Sequence, residues 1–218
     1  VSVKLAVFDC DGTLADGQAA VCSAMEEAFG EVGRPAPPRS AIRRIVGLSL
    51  PQAIRALDPD APSDTQAATV EAYRRAFFRA REEGRVSEPL FDGIADLLKA
   101  LHAKGWTLGV ATGKSDRGLN GCLVMHGVSD LFVTLQTADR HPSKPHPAML
   151  EAAMAEAGAA PADTVVIGDT TYDMAMAQAA GVRAMGVAWG YHAPDELLAA
   201  GAEAVADTPA QLGELLDA

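Results

Sequence analysis

The chain is 218 residues long, with 18 basic and 29 acidic side chains and a formal net charge of −11, a balance whose field opposes nucleic acid and anionic membrane surfaces. Its 49% hydrophobic content suffices for one large domain or a core with a smaller one, and no apolar run reaches the roughly 18 residues of a membrane span. Three cysteines, Cys10, Cys22 and Cys122, are an odd number without close spacing and support neither a disulfide framework nor a zinc knuckle.

The first residues, VSVKLAVFD, lack the layout of a secretory signal, so a cytoplasmic protein is expected. VKLAVFD is itself a buried-strand pattern, and it ends on two charges, Asp9 and Asp11, in AVFDCDGTLADG. The next stretch, from about 16 to 88, is helical in character: AAVCSAMEEAFGEVG, RSAIRRIVG and SDTQAATVEAYRRAFFRAREEG are separated by the turns RPAPP and LDPDAP. From about residue 90, strands and helices alternate. Ile94, Leu97, Leu98 and Leu101 repeat at helical spacing and stop at Gly105; WTLGVATG is a strand; Leu119, Cys122, Leu123 and His126 form another helical stripe before Gly127. LFVTLQT, DTVVIGD and RAMGVAWG are further strands, with a helix around Met149–Ala157 ending at Gly158.

Alternating strands and helices predict a doubly wound parallel-sheet α/β core, Rossmann-like, formed by residues 1–15 and 89–218, with an inserted helical cap over 16–88. Ligands of such sheets bind beyond the carboxyl ends of the strands. The unusual polar residues fall there: Asp9 and Asp11 end the first strand, Thr112 and Gly113 end LGVATG, Lys144 lies in the proline-stiffened loop HPSKPHP, and Asp169 ends VVIGD with Asp173 four residues later. Singly, each reads as a turn or a helix cap. Together they point to a hard divalent cation near Asp9, Asp11 and Asp169, because converging carboxylates repel unless an oxygen-loving ion relieves them. Lys144 then serves a transferring phosphoryl group or tempers a nucleophilic carboxylate, with Thr112 and the backbone N–H groups of Gly12 and Gly113 as neutral donors.

The order DCDGTL, ATG, SKPHP, GDTTYD resembles the four motifs of the haloacid dehalogenase (HAD) superfamily, in the branch with a helical cap after the first motif. The stretches around VATGKS and GDTTYDM are similar to its phosphoglycolate phosphatase-like subgroup. The resemblance implies an Mg²⁺-dependent phosphatase. Asp9 would attack phosphorus and Asp11 would act as acid and then base, while Thr112 and Lys144 hold the phosphoryl oxygens. Mg²⁺ would sit on Asp9, Asp169 and the Asp11 carbonyl, with Asp173 orienting its water shell. Tyr172 and Gly17 depart from the usual pattern beside this chemistry and bear on the substrate class.

The partner expected is a small phosphorylated metabolite, such as phosphoglycolate, with oligomeric state left open. Inorganic pyrophosphate or a nucleotide is the alternative substrate for the same machinery. A non-enzymatic phospho-accepting receiver also combines a strand-end Asp, Thr and Lys, but it has no cap and carries its acidic pair ahead of the phospho-acceptor. A cap lysine of the phosphonate-cleaving kind is missing between Asp16 and Leu90, as is any histidine. Arg43 and Arg44 are therefore the cap cations that would pair with a substrate carboxylate. They lie about 100° apart on a helix, so at most one would face the substrate; the plain alternative is that both coat the cap surface.

Overall fold

Each short apolar run named above becomes a strand, covered on both faces at Leu5–Phe8 and Thr164–Gly168 but exposing Val133 on the edge strand Phe132–Thr137. In the computed structural model, which describes residues 2–217, the elements in chain order are β1 (Leu5–Phe8), α1 (Gln18–Glu31), α2 (Arg39–Arg44), α3 (Leu50–Leu57), α4 (Ser63–Glu82), α5 (Ile94–Ala103) and β2 (Thr107–Thr112). There follow α6 (Asp116–Met125), β3 (Phe132–Thr137), α7 (Ala148–Ala157), β4 (Thr164–Gly168), α8 (Thr171–Ala180), β5 (Arg183–Val187), α9 (Pro194–Ala199), β6 (Ala204–Ala206) and α10 (Pro209–Asp217). Positions 1 and 218 of the expected core domain lie outside the described residues.

The six strands form one sheet in the order β3-β2-β1-β4-β5-β6, every pair parallel. The chain builds outward from β1 through β2 to β3, then returns to place β4 on the other side of β1. Strand order therefore reverses between β1 and β4, the position where open parallel sheets hold their ligands. Register fixes what meets there: Phe8 pairs with Val110 on one side and Ile167 on the other. Asp9, Thr112 and Asp169 thus emerge together at one edge.

Period-two alternation sorts β1 between two cores. Ala6 and Phe8 join Leu98 and Leu101 of α5 and Leu119 and Leu123 of α6. Leu5 and Val7 join Met149 and Leu150 of α7 and Met174 of α8 on the opposite face. Each fully buried leucine-sized side chain contributes about 1.5–3 kcal/mol. The α7 helix stops where its pattern predicts, at Gly158 in the left-handed region with φ 68°, a conformation glycine adopts without steric cost.

The inserted helices α1–α4 have a core of their own. Val21, Met25 and Phe29 recur every fourth residue on α1 and pack with Ile42, Val46, Ile54 and Val70. The two chain crossings that join this region to the sheet run side by side: Asp16 N–H donates to Pro89 O at 2.8 Å and Phe91 N–H to Leu14 O at 3.0 Å. No described helix is long and apolar enough to cross a membrane. Five elements had no specific sequence forecast: α3, α8, α9, α10 and β6. α3 carries a proline in its first turn, and β6, a three-residue edge strand, is too short to carry a period.

Candidate active site

Asp9 leaves β1 as a buried carboxylate. Its Oδ1 accepts the Cys10 N–H at 2.6 Å and lies 3.0 Å from the Lys144 ammonium, while its Oδ2 is buried with no hydrogen-bond partner. Asp169, at the end of β4, accepts the Thr13 hydroxyl on Oδ1 at 2.8 Å and the Tyr191 N–H on Oδ2 at 2.9 Å. Asp173 sits in the first turn of α8. Its Oδ2 accepts both the N–H and the hydroxyl of Thr170 in a capping box, and its Oδ1 accepts from Lys144 at 2.7 Å. The oxygens of Asp9, Asp169 and Asp173 come within 4.8 Å of one another.

Three buried carboxylates thus face one ammonium. Burial, with the charges of Asp173 and Asp11 adding to it against the pull of Lys144, pushes Asp9 up to about 7. Asp169 is held well above the carboxylate range by burial, then by Asp9 and Asp173. Lys144 stays firmly protonated: Asp173 and Asp9 outweigh the burial that alone would lower it.

Asp11 turns its carboxylate away from that group. Its Oδ1 lies 3.0 Å from the Lys114 ammonium, and Lys114 also donates to Glu88 Oε1 at 2.5 Å. Glu88 is buried and takes Arg81 of α4 on its other oxygen at 3.1 Å. Burial raises Asp11, partly offset by Lys114. Among the described residues, the group of carboxylates that could hold a metal is Asp9, Asp169 and Asp173, without Asp11.

The backbone qualifies two expectations. Gly12, at φ 83°, was expected to offer a free N–H, but that N–H donates to Ala15 O at 2.9 Å. Glycine is needed here for space as well: a Cβ would lie 2.2 Å from Asp169 Oδ2 and 2.5 Å from the Tyr191 ring. At Gly113 a Cβ would lie 2.4 Å from Leu48 O of the α2–α3 loop, so Gly113 is where the inserted region touches the sheet. Thr112 is buried at the end of β2, and its hydroxyl accepts the Lys114 N–H at 3.2 Å.

Arg43 and Arg44 are not brought to the carboxylates. Arg44 forms a two-bond pair with Glu196 of α9, at 2.7 and 2.8 Å, on the surface. Its carbonyl accepts from the Tyr172 hydroxyl at 3.2 Å and from His192 Nε2 at 3.1 Å. Burial lowers the His192 value, and Nδ1 accepts the Thr171 N–H, so the neutral ring donates through Nε2. Arg44 and Tyr172 thus fasten α2 to α8 and α9. Arg43 lines a side groove with Asp16, Cys22 and Arg39. The six-residue helix has a single buried residue, Ile42, and that anchor turns both arginines aside.

Lys114, Glu88, Thr13 and Thr170 escaped the sequence reading. Thr170 carried a usable pattern, since Thr-x-x-Asp is a capping-box spacing. Lys114 stood two residues beyond Thr112, in the same strand-end turn. Glu88, in SEPLFDG, carried none.

The switch point of this doubly wound sheet thus gathers three buried carboxylates that could hold a metal, two of them paired with Lys144. The chain belongs to the haloacid dehalogenase-like hydrolases, whose family model matches residues 6–187. Probable phosphatase IndB of Dickeya dadantii is 36% identical over 94% of this chain and 89% of that protein. A phosphoglycolate phosphatase of Vibrio vulnificus is 29% identical over 96% of this chain and 94% of that protein. Among solved structures, a hydrolase from Pseudomonas syringae superposes with a TM-score of 0.86 at 25% identity, covering 99% and 98% of the two chains.

Proposed function

We propose that the protein is a phosphomonoester hydrolase working through a phosphorylated Asp9, with Mg²⁺ at Asp9, Asp169 and Asp173. The observation that carries this reading is the Asp9 carboxylate: Oδ1 is fixed by Cys10 and Lys144, and Oδ2 is buried and free. The donor set fits a hard cation, being all oxygen, with one ammonium against three carboxylates. When bound, Mg²⁺ supplies charge neutralisation for the phosphoryl oxygens.

Asp9 attacks phosphorus, forming an acyl phosphate as the ester P–O bond breaks. Asp11, which lines the cavity between the sheet and the inserted helices, gives its proton to the leaving alcohol. Its raised value suits a proton donor. Asp11 then takes a proton from water as that water attacks phosphorus, releasing phosphate and restoring Asp9. Lys144 and Thr112 hold phosphoryl oxygens, and Lys114 keeps the Asp11 carboxylate aimed at the cavity. The inserted helices act as a cap that selects the alcohol. Phosphoglycolate, the substrate in the name of the Vibrio relative, and pyrophosphate both belong in the screen that tests this reading. Phosphate release from phosphomonoesters with Mg²⁺ and its loss with chelator are expected; release unaffected in verified metal-free protein would contradict it.

Asp11→Asn is expected to lose about 10²-fold or more with an alkyl phosphate and much less with p-nitrophenyl phosphate, whose leaving group needs no proton. Equal losses on both esters would remove Asp11 from the acid role.

The carboxylates also set a pH dependence. Asp9 holds its proton to about 7 in the folded chain against an ordinary 3.8. Its contribution to stability is therefore full below about pH 4 and is lost as pH rises through about 7. Asp169 is shifted the same way. The rise in Tm on adding Mg²⁺ is expected to be larger at pH 8 than at pH 5, measured by calorimetry. An equal or smaller rise at pH 8 would contradict the site.

A further inference from the structure

We propose that the alcohol portion of the substrate carries a flat apolar ring, so that the preferred substrate is the phosphomonoester of a ring-bearing alcohol rather than a two-carbon acid. This rests on the phosphatase reading and names the substrate class for it. A cavity of about 530 Å³ opens between the inserted helices and the strand ends, with Asp11 and Gly113 on its floor. That is the size class of sites that enclose drug-sized ligands, and a two-carbon acid fills a minor part of it. Because Asp11 would protonate the leaving alcohol, the space beside Asp11 is where that alcohol lies.

The walls are apolar and aromatic: Met25 of α1, Leu50 of α3, and Tyr73, Phe77 and Phe78 of α4. Tyr73 and Phe77 stack with ring centroids 5.9 Å apart, and the Arg81 and Lys114 cations lie over the Phe77 ring at 5.5 and 6.0 Å. Rings packed in this way favour another ring beyond its simple area. Three of the four cations that line the cavity are already paired. Lys114 is shared by Asp11 and Glu88, Arg81 is on Glu88, and Arg74 pairs with Glu71. Arg117 forms no ion pair among the described residues, but it is exposed and its guanidinium lies over Phe78 at 4.5 Å. A carboxylate one carbon from the phosphate would meet mostly apolar surface and, apart from exposed Arg117, paired cations, whereas a ring would meet Met25, Leu50 and the α4 aromatics.

Three esters separate the possibilities: ethyl phosphate, phosphoglycolate and 2-phenylethyl phosphate, assayed with Mg²⁺. The first and third have similar alkoxide leaving groups, so their ratio reads the cavity. With 2-phenylethyl phosphate, kcat/KM is expected to exceed that of each of the others by about 10–100-fold. Phe77→Ala is expected to cut that ratio about tenfold, and Leu50→Ala, on another wall, to cut it as well. Turnover of all three with no preference for the ring, or with phosphoglycolate preferred, would overturn the proposal and leave the phosphatase reading standing. If no ester is turned over, the phosphatase reading fails. Calorimetric binding of the non-hydrolysable 2-phenylethylphosphonate against ethylphosphonate to the unaltered protein then still decides: tighter binding of the ring compound by about tenfold or more supports the ring-binding cavity, and equal binding overturns it.

Discussion

Asp9→Asn is expected to abolish turnover, by about 10⁴-fold or more, while the fold survives and the metal-free protein becomes more stable at pH 8. An amide has nearly the shape of a carboxylate and is a poor nucleophile at phosphorus. The stability half follows from the surroundings. Asp9 is raised to about 7 from an ordinary 3.8, chiefly by burial and then by Asp173 and Asp11 against Lys144. Holding it ionised at pH 8 therefore costs up to about 4 kcal/mol, and the neutral amide avoids that cost. Activity and Tm moving in opposite directions is the signature of a residue kept for chemistry. A variant that loses Tm together with activity would make Asp9 a structural residue, and near-normal activity in a preparation checked for deamidation would remove it as nucleophile.

Lys144→Met is expected to be damaging in the other sense. Methionine matches the stem of lysine without its terminal ammonium, so it leaves Asp9 and Asp173 without the charge that sits 3.0 and 2.7 Å from them. Removing one partner of a buried ion pair costs about 3–5 kcal/mol. The loss should be smaller at pH 5, where Asp9 already holds its proton, and larger at pH 8, where an ionised Asp9 would be left without its cation. Activity should fall about 10²–10³-fold even where the variant is folded, since a donor to the phosphoryl oxygens is gone. Denaturant unfolding at the two pH values checks this. Equal stability of variant and parent at pH 8 would mean that Lys144 does not balance these carboxylates.

The strand ends were readable because each pairs a strand-length apolar run with a residue that such a run has no packing reason to end on. Asp9, Thr112 and Asp169 follow β1, β2 and β4 in this way, and parallel register then brings them level. Lys144 was readable from its place in a stiff loop after β3. The Lys114–Glu88–Arg81 chain was not. Glu88 reads as an ordinary exposed loop acid, and it is buried only because the crossing at 89–91 pairs with 14–16. The sequence leaves Arg44 between a substrate-facing and a surface position for a related reason. Its partner Glu196 lies 152 residues away, and in a six-residue helix a single buried isoleucine sets the rotation. Contacts made across the junction of inserted helices and sheet have no local period, and period is what a single sequence displays.

The central claim is that Asp9 becomes phosphorylated during turnover. Quenching the enzyme during turnover of a phosphomonoester with Mg²⁺, reducing with borohydride and mapping peptides by mass spectrometry tests it directly, because reduction converts an aspartyl phosphate to homoserine. Homoserine at position 9, dependent on substrate and missing in Asp9→Asn, is the expected result. Steady turnover with Asp9 unmodified, or with the reduced residue at Asp11, Asp169 or Asp173, would contradict it.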